Sequence, residues 1–194
     1  IGAHYDHLGI YDGHIYNGAD DNASGTVGVM TLARAISATG VKPEKTIVFA
    51  LWTGEEKGLL GSKYYADNPS VPLESIRINV NFDMISRYIN DDEPNKVTMM
   101  YSPECPELKD MTIRNMKDYN IELEPVYLAT NNPPGGTDHS SFINKGISYL
   151  RYKPGHREEY HSPADEVSTL DWDIMEKIVK LTFLNVWEMA GSGW

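Results

Sequence analysis

Three short apolar runs constrain this chain more than any other feature of its sequence. Residues 46–52 (TIVFALW), 76–82 (IRINVNF, with Asn79 and Asn81 interleaved) and 147–152 (ISYLRY) read as strands covered on both faces. Outside these runs the period changes. Val29, Leu32, Ala33 and Ile36 fall at helical spacing, and Ile174, Ile178, Leu181 and Leu184 do the same over a longer stretch that starts after Asp171. Shorter helices are predicted over residues 59–66, stopped by Pro69, over 106–119, and over 139–144, ended by Gly146. Strands alternating with helices imply an α/β sandwich built on a mainly parallel sheet. The 194 residues show no repeat, no low-complexity tract and no linker, so a single domain spanning residues 1–194 is expected.

Charge and cysteine content narrow the function. Seventeen Lys and Arg against 28 Asp and Glu give a net charge of −11, which argues against nucleic acid as a partner, since phosphate-backbone binding depends on basic residues. No apolar run approaches the ~20 residues of a membrane-spanning helix. The single cysteine, Cys105, excludes an intrachain disulfide and any zinc site made of several cysteines. The chain opens on Ile1-Gly2-Ala3-His4, which reads as the last part of an apolar strand, so the domain is expected to be truncated at its N-terminus.

An open α/β sheet binds ligands in the crevice beyond the carboxyl ends of its strands. His4 follows the first strand, Glu55 and Glu56 the second, Asp83 the third, and a loop with His156 and His161 the fourth. Each alone is an ordinary loop residue, and the joint placement is the signal. In His4-Tyr5-Asp6, an Asp two residues from an imidazole can accept the proton of its second nitrogen, though a surface His beside an acid is the commoner meaning of the triplet. The segment Gly18-Ala19-Asp20-Asp21-Asn22-Ala23-Ser24-Gly25 leads into a helix; its acids serve as N-caps, and one Asp turned into the crevice could bridge two cations. Adjacent Glu55 and Glu56 repel unless a cation or shared proton compensates. With a metal present, one ligates while the other acts as general base. Asp83 ends a run too apolar for a surface strand, and a buried carboxylate needs a partner.

Taken together, His4-Tyr5-Asp6, Asp21-Asn22-Ala23-Ser24-Gly25, Glu55-Glu56-Lys57-Gly58-Leu59-Leu60-Gly61-Ser62, Asn81-Phe82-Asp83-Met84, Gly136-Thr137-Asp138-His139 and Tyr160-His161 resemble the ordered motif set of the di-zinc aminopeptidases of the aminopeptidase Y type. The resemblance runs from the first residues to Asp165. It implies a three-layer zinc-exopeptidase sandwich, a central mixed sheet flanked by helices. It implies one zinc held by His4, Asp21 and Asp83 and a second held by Asp21, Glu56 and His161, with Asp21 bridging and Glu55 as general base and acid. Tyr160 corresponds to a donor that stabilises the tetrahedral intermediate, Asp6 to a residue that orients His4, and Asp138 to a support or substrate contact. Two imidazoles and three carboxylates suit zinc, with cobalt or manganese as substitutes. The implied activity is hydrolysis of N-terminal residues from peptides with a free N-terminus. Such enzymes are frequently exported, so the resemblance implies a periplasmic or extracellular location. A glutaminyl-peptide cyclotransferase and a noncatalytic ectodomain share the fold and are the alternatives. The complete two-metal set favours hydrolysis over both, and dipeptidase or carboxypeptidase specificity on the same metal site stays open.

Other residues are expected to lie outside the chemistry. His7 and His14, between His4 and Asp21, are expected to face solvent. His139 reads as structural and His156 as a pocket-rim residue. Asp91-Asp92-Glu93 reads as a solvated acidic loop, Met99, Met100, Met111 and Met116 as packing residues, and 131–136 as a loop that shapes the pocket. Cys105 has no base partner in sequence and is given no catalytic role.

Overall fold

The second and third apolar runs form neighbouring strands at the middle of a six-stranded sheet and the first ends in an edge strand, in the order β4–β1–β5–β8–β6–β7. Its strands are β1 (Gly2–His4), β4 (Ala50–Trp52), β5 (Ile78–Asn81), β6 (Lys96–Tyr101), β7 (Glu124–Ala129) and β8 (Ser148–Lys153). The computed structural model describes residues 1–88, 90–155, 157–191 and 193–194. Strands β4, β1, β5 and β8 run parallel, β6 is antiparallel to β8, and β7 is parallel to β6. The sheet is thus mixed and mostly parallel, as expected. A hairpin of β2 (Gly9–Tyr11) and β3 (His14–Tyr16) stands apart from it.

Alternation along the strands divides the interior into two layers. Leu150 and Tyr152 of β8 join the larger apolar cluster, which also takes Leu32 of α1 (Gly25–Ala38), Leu108 of α3 (Glu107–Asp118) and Ile178 of α5 (Trp172–Met189). Burying each such side chain stabilises the fold by about 1.5–3 kcal/mol relative to exposure. Tyr149, the neighbour of Leu150 on the strand, turns the other way and stacks on His139 of α4 (His139–Ile143). On that side Trp52 packs with Phe142 of α4 and with Tyr65 of α2 (Leu60–Asp67). The helices therefore cover both faces, giving the three-layer sandwich. No helix among the described residues is long and apolar enough to cross a membrane.

The three shorter helices appear within a residue of their expected ends, the helix read at Val29–Ile36 extends over Gly25–Ala38, and α5 starts after Asp171 as expected, Asp171 capping it by accepting from the backbone N–H of Ile174 at 2.9 Å. The strand expected over residues 46–52 is shorter than its apolar run. Its ladder partner β1 pairs Gly2 with Ala50, so residues 46–49 lie outside the strand although Ile47 and Phe49 still pack against the core. Strands β6 and β7 were not expected. Methionines occupy the centre of β6, and β7 carries Pro125, which an edge strand tolerates. The expected packing methionines Met99, Met100 and Met111 are buried, and Met116 packs against the same cluster.

Candidate metal centre

Parallel strands deliver their carboxyl ends to one edge of the sheet, and the candidate residues meet there. β1 ends at buried His4, and β5 leads directly to buried Asp83. Glu55 and Glu56 occupy the turn between β4 and α2. That turn is tight: a Cβ on Gly61 would come within 2.8 Å of the backbone N and O of Thr53, so only glycine lets α2 start this close to the strand. The loop after β8 brings Tyr160 and His161 over the same edge, and the turn at Ala19–Ser24 brings Asp21 beneath it.

Asp21 lies at the centre of the group. Its Oδ1 is 3.4 Å from Nε2 of His4, and its Oδ2 is 3.1 Å from Nε2 of His161. On the first side, His4 Nε2 is also 3.9 Å from Oδ1 of Asp83, and donor atoms of His4, Glu55 and Asp83 lie within 4.8 Å of one another. On the second side, His161 Nε2 is 3.3 Å from Oε2 of Glu56. Seven titratable side chains, three imidazoles and four carboxylates, converge once His7 is included: its Nδ1 is 3.0 Å from Oε1 of Glu56 and 4.0 Å from Oδ2 of Asp21.

The electrostatics of the group follow from burial and carboxylate excess. Burial pushes the Glu55 carboxyl up to about 8; His4 opposes this, while Asp83, Asp138 and Glu56 add to it. Burial likewise raises Asp21. Burial opposes a charge on His4, yet the facing Asp21 and Asp83 outweigh it and push the imidazole up to about 11. Burial also opposes ionisation of Asp83 and Glu56, but His4 and Arg151 hold the first below the usual carboxylate range and His7 and His161 hold the second there. Positive charge is in demand at this edge.

A buried ionic cluster supports Asp21 from below. Asp165 accepts from the backbone N–H groups of Asp20 at 2.9 Å and Asp21 at 3.0 Å, and from Arg87 Nη2 at 2.9 Å. Asp20 accepts from the backbone N–H of Ser86 at 2.9 Å, and burial pushes its carboxyl up to about 7. The acids expected as N-caps make no cap bond to α1; Asp20 instead ties the turn to the segment after β5. Asn22 continues the link, donating to the Phe82 carbonyl at 3.0 Å and accepting from the Met84 N–H at 3.2 Å.

The remaining candidates fall around this centre. Asp6 has two faces: its backbone carbonyl lies 3.1 Å from His4 Nδ1, with its carboxylate at 3.8 Å, and that carboxylate accepts from the Glu55 N–H at 3.2 Å. Tyr160 is 41% exposed and stacks on the His161 ring at 3.8 Å. Asp138 is fully buried at the start of α4, close enough to Glu55 to raise its carboxyl, and burial pushes Asp138 itself up to about 6. His139 is buried against Tyr149, and burial with the nearby Arg151 lowers its imidazole to about 3. His14 is exposed on the hairpin. In the acidic run, Glu93 bonds Asn90 and Lys96, and Asp91 pairs with Arg157. Cys105 is buried. His156 lies outside the described residues.

His7 corrects the expectation of a solvent-facing side chain. Its side chain is 8% exposed, because Gly18 closes over the ring: a Cβ there would sit 2.4 Å from His7 Cγ. Gly18 adopts φ 64°, which glycine reaches without strain. The sequence signal was that pairing of a third histidine with a glycine next to the acidic turn.

The donor set fits divalent cations on its own chemistry. His4 Nε2, both His7 nitrogens and Glu56 Oε1 are buried without a hydrogen-bond partner among the described residues, a costly arrangement unless something else pairs with them. Donors about 2.0–2.2 Å from a tetrahedral ion lie roughly 3.3–3.6 Å apart, near the 3.1 and 3.3 Å between His161 and its two carboxylate neighbours.

Comparison with known proteins identifies the family and the fold. A family model described as peptidase family M28 matches residues 1–186. Leupeptin-inactivating enzyme 1 of Streptomyces exfoliatus is 36% identical over 132 residues, 67% of this chain and 27% of that protein. Aminopeptidase Y of Saccharomyces cerevisiae is 29% identical over 188 residues, 90% of this chain and 34% of that protein. Among solved structures, a zinc aminopeptidase of Bacillus subtilis shares the fold with a TM-score of 0.79 at 23% identity, over 98% of this chain and 46% of that one. The chain thus spans about a quarter to a third of these curated relatives and about half of the solved structure.

Proposed function

The chain belongs to peptidase family M28, and from that membership we propose that it carries the catalytic centre of a zinc-dependent aminopeptidase with two cations. The observation that carries this reading is the two-sided environment of Asp21, whose oxygens face His4 on one side and His161 on the other. His4, Asp21 and Asp83 would hold one cation, and Asp21, Glu56 and His161 the other. Zinc suits imidazole with carboxylate, and cobalt or manganese are the substitutes to expect. When bound, such a pair polarises the scissile carbonyl and acidifies water.

The chain's own residues supply the rest of the reaction. Glu55, tethered through its N–H to Asp6 and free of both ligand sets, takes the proton from the attacking water and returns it to the departing amine. Its carboxyl sits up to about 8 without cations, and nearby positive charge would lower it into the range where a base is ionised at neutral pH. Tyr160, exposed and stacked on His161, would donate its hydroxyl to the oxygen that gains charge. Burial first, and then the surrounding carboxylates, push that hydroxyl up to about 12, so it keeps its proton over the working range. The carboxylate excess also suits an ammonium group, which makes peptides with a free N-terminus the proposed substrates.

Mass spectrometry of a defined peptide mixture tests this. Zinc-loaded protein should shorten peptides with free N-termini one residue at a time, leave acetylated ones intact, and stop when a chelator is added. A loss of ammonia from Gln-initiated peptides would point to the cyclotransferase reaction, and no change at all to a binding role.

A further inference from the structure

We propose that His7 is a positioning residue for Glu56, its Nδ1 bracing Oε1 so that Oε2 is presented beside His161 and Asp21. This rests on the two-cation reading above and adds to it a residue that the ligand sets do not contain. The two oxygens of Glu56 have different neighbours: Oε1 is 3.0 Å from His7 Nδ1, and Oε2 is 3.3 Å from His161 Nε2. The His7–Glu56 pair is at hydrogen-bond distance but not aligned as one, and neither atom has another hydrogen-bond partner among the described residues, so a small turn of the ring completes the bond.

The ring is held for this task. Gly18 covers it, since any Cβ there would meet His7 Cγ and Cδ2 at 2.4 and 2.7 Å, and the His161 ring stands edge-on to it at 5.8 Å. Bracing fits better than ligation for two reasons. Donor atoms of His7, Asp21 and Glu56 lie within 4.8 Å of one another, but His161 Nε2 is at 3.1 and 3.3 Å from the Asp21 and Glu56 oxygens it faces, whereas His7 Nδ1 is close only to Glu56, at 3.0 Å against 4.0 Å to Asp21. A fourth protein donor would also close the site, whereas catalytic zinc keeps a position open for water or substrate. A carboxylate ligand fixed by a hydrogen bond to its other oxygen is oriented before the cation arrives, and loss of such support weakens metal binding about 10–100-fold.

Calorimetric zinc titration of the wild-type chain and three variants tests the role. His7→Ala removes the donor. His7→Phe keeps a ring under Gly18 without a donor, and carries the comparison if the alanine variant fails to fold. His7→Asn keeps an N–H at the same bond distance from the backbone as Nδ1. The expected result is that His7→Ala and His7→Phe weaken one of two zinc ions about 10–100-fold and leave the other unchanged, while His7→Asn restores most of the loss and the metal-free unfolding midpoints stay together. Unchanged binding in His7→Phe, or equal weakening of both ions, overturns the bracing role. Complete loss of one ion in all three variants overturns it in favour of direct ligation. A wild-type chain that binds fewer than two ions overturns the two-cation reading itself, a result visible before any variant is compared.

Discussion

Oδ2 of Asp21 lies 3.1 Å from Nε2 of His161, a residue delivered by a loop from the far end of the sequence, while the other oxygen of the same carboxylate faces His4. One side chain therefore joins the two halves of the centre. Asp21→Ala is expected to lose both zinc ions, whereas His161→Ala should lose one. Metal analysis after dialysis against a weak chelator distinguishes the two, and equal zinc content in Asp21→Ala and wild type would remove the bridging role.

Glu55 lies outside both proposed ligand sets, so Glu55→Gln should retain its zinc and lose turnover by about 10²–10⁴-fold. Full activity in this variant would show that the base is another group.

The same carboxyl gives a pH signature in the metal-free protein. Its folded pKa, up to about 8, stands above its ordinary value, so the folded state holds the proton more tightly than the unfolded chain. Its contribution is fully present below pH 4.5 and is lost as pH rises through 8. Unfolding midpoints of Glu55→Gln should therefore gain on wild type between pH 4.5 and 8. A constant difference across that window would contradict the assignment.

His139 shifts in the opposite sense. Its folded pKa is depressed to about 3, so the unfolded chain binds the proton first as pH falls. The stability of the neutral buried ring is present above pH 6.5 and is lost as pH falls toward 3, at no more than about 1.4 kcal/mol per pH unit. His139→Phe keeps a ring against Tyr149 and removes the titration, so its urea midpoint should fall less steeply over that range.

Arg87 pairs with buried Asp165 at 2.9 Å, with Glu159 at 3.3 Å and with buried Asp20 at 4.0 Å, and Asp165 fixes the backbone under Asp21. Removing one partner of such a cluster leaves uncompensated charge, and Arg87→Ala should destabilise the fold by about 3–5 kcal/mol in urea titrations. A change under about 1 kcal/mol would show that the acids accept protons instead.

Much of this centre was legible in the sequence because buried strands announce themselves. Runs too apolar for a surface led to His4, Glu55, Glu56 and Asp83, and a parallel sheet sends such ends to one edge. His7 escaped because its burial comes from a backbone crossing at Gly18, which no periodicity records. The Asp20–Arg87–Asp165 cluster escaped for a related reason: it joins three segments distant in sequence, and each acid also reads as a plain cap or loop residue. Strand β6 was hidden by methionines, which suit helix and strand interiors alike.

Anomalous scattering at the zinc edge from crystals of the zinc-loaded protein tests the central claim most directly. Two peaks about 3.5–4 Å apart, one beside His4 and Asp83, the other beside Glu56 and His161, with Asp21 between them, are the predicted result. A single peak, or two peaks that do not share Asp21, would contradict it.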